Sequence, residues 1–105
     1  MEHICESINN IYEFVENLEL EQAVNDKIRY FAIVYQLVII GEASNLLTSE
    51  FRDAHPQTPW RDIICMRNFI VHGYNIVDKK EVVSVISNDL PPLKAQIEQY
   101  LSEMQ

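Results

Sequence analysis

The residues best able to do chemistry stand close together in the octet RNFIVHGY, residues 67–74. Arg67 and Asn68 are adjacent, His72 follows the arginine by five residues, and Tyr74 comes two further on. A fixed cation, a titratable imidazole and a phenol at this spacing suit metal-independent cleavage of RNA. That reaction needs a group to take or return a proton at the 2′-hydroxyl or the leaving oxygen. It also needs a cation to hold the charge of a phosphorane-like phosphate. His72 answers the first need and Arg67 the second. Arginine serves better than lysine here, because its planar fork grips two phosphate oxygens and stays charged when partly buried. Asn68 could orient the imidazole or bind phosphate.

No rival motif competes with the octet. The chain has no glycine-rich phosphate loop, serine nucleophile elbow, HExxH or paired-carboxylate pattern. His3 and His55 lack partners at metal-ligand spacing and are expected on the surface. Cys5 and Cys65 have neither a C-x-x-C nor a histidine neighbourhood, so they suggest no zinc and only a weak case for a disulfide. No metal or cofactor is expected.

On a helix turning by about 100° per residue, Arg67 falls within an apolar stripe of Trp60, Ile63, Ile64, Ile70, Val71 and Tyr74. Its i±3 and i±4 neighbours are all apolar, so no acid on its own helix can pair with it. Asn68 and His72 form the adjacent edge. Glu42 is the candidate partner from elsewhere. It too is a charge on an apolar stripe, in register with Ile28, Phe31, Tyr35, Val38, Ile39 and Leu46. A buried Arg67–Glu42 ion pair is the purely structural reading. His72 alone would read as a helix-end or core residue, and Tyr74 alone as core with its hydroxyl at the edge. Their combination with Arg67 is what favours chemistry.

The elements that must carry these residues are helical. Two glycines and four prolines are few breakers for a chain of 105 residues, and apolar spacings of three and four recur throughout. The first helix is expected from about Glu2 to Leu18, with Ile4, Ile8, Ile11, Tyr12, Val15 and Leu18 on its inner stripe. The second should start at Asn25 or Asp26 and run to about Leu47. Phe31, Ile33, Val34, Leu37, Val38, Ile39 and Ile40 cover nearly its whole circumference. It is therefore either the central helix or one side of a subunit interface.

Thr48 to Thr58 is a connection with room for one helical turn, closed at His55-Pro56. Thr58 then caps a third helix with Pro59 at its first position, and this helix carries the octet toward Gly73. Asp78-Lys79-Lys80-Glu81 is a capping-box pattern opening a fourth helix. Asp89-Leu90-Pro91-Pro92 either kinks that helix or caps a fifth. The expected fold is all-α: one domain over 1–105, an up-and-down bundle of four to five helices.

A formal net charge of −8 excludes general attraction to nucleic acid, so any RNA contact must be local and no DNA partner is expected. The N-terminal MEHICESINN has acids where a signal peptide carries lysines. The longest apolar run, YFAIVYQLVII at 30–40, is far below the roughly 20 residues of a membrane span. A cytoplasmic location without membrane contact is the expectation.

With IIGEASNLL, HPQTPWRDIICMRNFIVHGY, VDKKEV and DLPPL, the stretch from about Ile39 to Pro92 closely resembles the HepT-like group of HEPN-domain proteins. The resemblance implies an HEPN-like helical bundle, a homodimer, and a metal-independent endoribonuclease marked by Arg-x4-His-x-Tyr. It further implies the toxin role in a toxin–antitoxin pair. Residue by residue, Arg67 and His72 match the catalytic pair, Asn68 the polar position after the arginine, and Tyr74 the motif tyrosine. In that family a minimal nucleotidyltransferase antitoxin attaches AMP to this tyrosine and silences the toxin. The alternative from a different class is a non-catalytic HEPN module that binds a nucleotide or a protein.

Overall fold

Every secondary-structure element among the residues that the computed structural model describes, 1–65 and 79–104, is helical. The first, α1, spans Glu2–Val15 and turns Ile4, Ser7, Ile8 and Ile11 inward. It stops short of the expected Leu18. Glu16 leaves helical geometry and Asn17 takes φ 63°, a left-handed turn that asparagine tolerates better than most residues. The chain then forms a short helix the sequence pattern did not indicate, α2 at Leu20–Asn25, which buries Ala23 and Val24.

The long helix α3 spans Lys27–Leu46. Of the two caps the sequence allowed, Asp26 is the one used. Its carboxylate accepts from the backbone N–H of Ile28 at 3.1 Å and of Arg29 at 3.3 Å. The Arg29 guanidinium then folds back onto the second carboxylate oxygen at 2.7 Å. These backbone and side-chain hydrogen bonds from Arg29 hold the Asp26 carboxyl below its ordinary range.

The connection after α3 contains a true helix, α4 at Ser49–Ala54, begun by Thr48 accepting from Phe51 N–H at 3.1 Å. Helix α5 is described over 60–65. A last helical run comprises α6 at Lys79–Ser84, a π-helical turn at Val85–Asp89, and α7 at Leu90–Glu103. The helical run is continuous through this point, and Pro91 and Pro92 stand in the first turn of α7. Pro91 and Pro92 have no N–H to donate. The turn before them widens, so that Leu90 N–H reaches Val85 carbonyl, five residues back.

The core joins Ile4, Ile8 and Ile11 of α1 with Ile33, Leu37 and Ile40 of α3, and closes with Leu90, Leu93, Ile97 and Tyr100 of α7. Burying each of these side chains contributes roughly 1.5–3 kcal/mol. The remaining side of α3 is bare. Ile28 and Leu46 are 82% and 83% exposed, and Phe31 and Tyr35 are exposed beside them. Of the two settings expected for it, central helix or one side of a subunit interface, α3 packs on the core through one face and leaves this one exposed. Among the described residues no helix is long and apolar enough to cross a membrane.

The Asp26 cap yields a pH prediction. Its folded-state carboxyl is lowered, so its stabilisation is complete above the ordinary aspartate range and fades as the pH falls through that range. Asp26→Ala should lower the urea midpoint at neutral pH. The gap from wild type should narrow as the pH falls below the ordinary aspartate range, as followed by circular dichroism.

Candidate functional site

Arg67, Asn68, His72 and Tyr74 lie outside the described residues, as does Asp78. The site is therefore built from its two shoulders, α5 as far as Cys65 and α6 from Lys79 onward. Glu42, proposed as the supporting acid, is exposed on α3. It stands on the same face as the exposed Ile28, Phe31, Tyr35 and Leu46, and its expected partner Arg67 lies outside the described residues.

The α5 shoulder is anchored at its start. Thr58 is 2% exposed, and its hydroxyl donates to Gln96 Oε1 at 2.7 Å while sharing a 2.5 Å hydrogen bond with the buried Tyr100 hydroxyl. The sequence places Thr58 as a helix cap; in the fold its side chain ties the α4–α5 corner to α7. Buried hydroxyls are costly without partners, and here each satisfies the other. Gln96 adds a bond from its amide to Gln57 carbonyl at 3.2 Å.

Four rings fill the space beneath the corner. The His55 ring stacks on Phe51 with 4.2 Å between centroids and lies 4.4 Å from Tyr100. Trp60 completes the cluster and donates its indole N–H to His55 carbonyl at 3.0 Å. His55 is thus half-buried, where the sequence suggested a surface position. Its Nδ1 sits 2.8 Å from Phe51 carbonyl, which can only accept, so that nitrogen carries the hydrogen. The helical turn of α4 puts ring and carbonyl four residues apart on one face. Fixing the corner fixes where α5, and hence the chain entering the octet, departs.

Two recesses flank α5 and differ in charge. One, of about 550 Å³, lies among Leu37, Ile40, Ile63, Val82, Leu90 and Leu93. Among the described residues its lining includes the carboxylates of Asp62, Glu81 and Asp89 and no cation, so it would repel a phosphate. The other, a groove of about 600 Å³, is lined by Asn45, Ser49, Arg52, Asp53, Trp60, Arg61, Ile64 and Cys65 among others. Among the described residues it carries two guanidinium groups against one carboxylate.

Arg52 and Arg61 were not singled out in the sequence. Each is followed directly by an aspartate, which cancels its charge in any window average. Cys5 and Cys65 are both free thiols. Among the described residues no group of three or more His, Cys, Asp and Glu is placed to hold a metal ion.

The family model described as ribonuclease HepT-like matches residues 4–100. A probable ribonuclease HepT of Thermococcus cleftensis is 37% identical over 98 residues, covering 93% of this chain and 89% of that protein. A provisionally assigned RNase of Caldanaerobacter subterraneus subsp. tengcongensis is 33% identical over 103 residues, 98% of this chain and 92% of its own. Another, from Methanocaldococcus jannaschii, is 32% identical over 95 residues, 90% of this chain and 87% of its own. No solved structure matches the chain.

Proposed function

The chain belongs to the ribonuclease HepT-like family, and from that premise we propose that it is a metal-independent endoribonuclease using Arg67 and His72. The observation that carries the proposal is an intact Arg-x4-His-x-Tyr octet inside a family match running from residue 4 to residue 100. In the proposed reaction His72 accepts the proton of a ribose 2′-hydroxyl. The freed oxygen attacks the adjacent phosphorus, and the bond to the leaving 5′-oxygen breaks as that oxygen regains a proton. A 2′,3′-cyclic phosphate and a 5′-hydroxyl result. Arg67 holds the charge that gathers on the phosphate oxygens, and Asn68 orients the imidazole or adds a hydrogen bond to phosphate.

The working unit in this reading is a homodimer paired through the bare face of α3. The exposed Ile28, Phe31, Tyr35 and Leu46 support it, since water-exposed apolar stripes of this kind gain free energy when covered. Pairing there would bring two octets into one assembly and give an acidic chain a local concentration of arginine. Glu42 would become part of that interface. The biological setting we propose is a cytoplasmic toxin–antitoxin pair in which a minimal nucleotidyltransferase is the antitoxin. It would transfer AMP from ATP to the Tyr74 hydroxyl with release of pyrophosphate. The added phosphate would repel substrate and occupy the guanidinium of Arg67.

Replacing His72 with Ala should cut cleavage of a fluorescent single-stranded RNA in chelator by about a hundredfold or more, the usual contribution of a proton-transfer group. Circular dichroism should be unaltered. Undiminished cleavage would remove His72 from the mechanism. Separately, intact-mass measurement after incubation with the nucleotidyltransferase and ATP should show one added AMP per chain. Tyr74→Phe should abolish the increment; an increment that survives places the modification elsewhere.

A further inference from the structure

The arginine-lined groove between α4 and α5 has no role in the reaction as described, and its charge is at odds with the rest of the chain. Sixteen acids face eight bases overall, yet among the described residues this groove holds Arg52 and Arg61 against Asp53 alone. Most other described cations are engaged. Arg29 is bound to Asp26, Lys79 reaches Asn25 and lies over the Tyr30 ring, Lys94 pairs with Glu98 and lies over Tyr12, and Lys80 is also in contact. Among the described residues the side chains of Arg52 and Arg61 form no hydrogen bond or ion pair, although Arg52 is half-buried.

A half-buried guanidinium without a partner forgoes the bidentate bonding its geometry favours. With the exposed Arg61 lining the same open groove, Arg52 makes a receptor for oxyanions. The groove also presents Ser49 and Asn45, hydrogen-bonding side chains suited to ribose and phosphate oxygens. It runs to Cys65, only two residues along the chain from Arg67.

We propose that this groove is an RNA-backbone track, in which Arg52 and Arg61 each grip a phosphate of a single strand whose scissile bond lies at the octet. The proposal rests on the ribonuclease reading for its ligand, and it explains how a chain of net charge −8 gathers an anionic substrate. Contacts of this type fix register without reading base identity, so the track confers affinity rather than sequence preference. The nearby acid-lined recess, with Asp62, Glu81 and Asp89, repels the same ligand and confines the strand to one side of α5.

The test is fluorescence anisotropy of the full chain with a fluorescein-labelled, single-stranded 2′-O-methyl RNA, which cannot be cleaved by 2′-oxygen attack. The variants are the doubles R52Q/R61Q and R52K/R61K. Losing two charge-assisted contacts should weaken binding about tenfold or more. The slope of log affinity against log salt should fall by about 1.4, roughly 0.7 for each phosphate no longer neutralised on a single strand. The lysine double should keep the slope.

Unchanged affinity and slope in R52Q/R61Q overturn the track, as does an equal loss in R52K/R61K, which would mark a structural effect. If R52Q/R61Q instead loses only the nucleotidyltransferase, seen by the same titration with labelled partner protein, the groove is a protein-docking surface and the proposal fails. Wild-type cleavage of unmodified RNA separates the two readings. Cleavage with arginine-independent binding sinks the track alone. Arginine-dependent binding without cleavage sinks the catalytic reading and leaves the track standing.

Discussion

The structure depends on a helix with more apolar surface than one chain can cover. Helix α3 spends Ile33, Leu37 and Ile40 on the core, where they meet the isoleucine stripe of α1 and the inward face of α7. Ile28, Phe31, Tyr35 and Leu46 remain in water on its other side. At about 25 cal/mol for each Å² of apolar surface, covering such a stripe is a substantial driving force for association. The same surplus explains the otherwise odd setting of Glu42. In the single chain it is an exposed acid among exposed hydrophobic residues; in a pair it would be an interface acid.

A second constraint acts at the corner that follows α3. The corner between α4 and α5 is held by a hydroxyl pair, Thr58 and Tyr100, set in a cluster of Phe51, His55 and Trp60. Polar groups buried this deeply are stable only when fully partnered, so the geometry admits little slack. The corner decides the path of α5, and α5 leads the chain to the octet. The π-helical turn at Val85–Asp89 works on the opposite shoulder. It lets α7 follow α6 without a break despite two adjacent prolines, so that Leu90, Leu93 and Ile97 still reach the core.

Much of this was legible in the residue pattern, for identifiable reasons. Helical periodicity and scarce breakers pointed to an all-α fold, and Asp26 before an apolar run marked the start of α3. The inner stripe of α1 was placed correctly because it follows one regular spacing. What escaped were features set by tertiary structure. Helix α2 has six residues, too few for periodicity to register. His55 looked solvent-facing because its ring partners include Tyr100, forty-five positions away. Thr58 had every local mark of a cap, and a long-range bond to α7 claimed its hydroxyl. At the candidate site the octet was legible as chemistry and as a family motif. The Arg52–Arg61 groove was hidden, because neighbouring aspartates mask both charges in one dimension and only folding sets the two guanidinium groups around one space.

In the proposed mechanism RNA cleavage would require two copies of the chain, paired through α3, with the octets supplying the reacting groups. Measuring RNA-cleaving activity per chain across a dilution series, in chelator, alongside sedimentation of the same samples tests that claim most directly. Phe31→Glu, which sets a charge in the bare face of α3, provides the monomeric comparison. The account predicts that activity falls in step with the dimer fraction and that the folded Phe31→Glu monomer is inactive. Full activity in that monomer would contradict it.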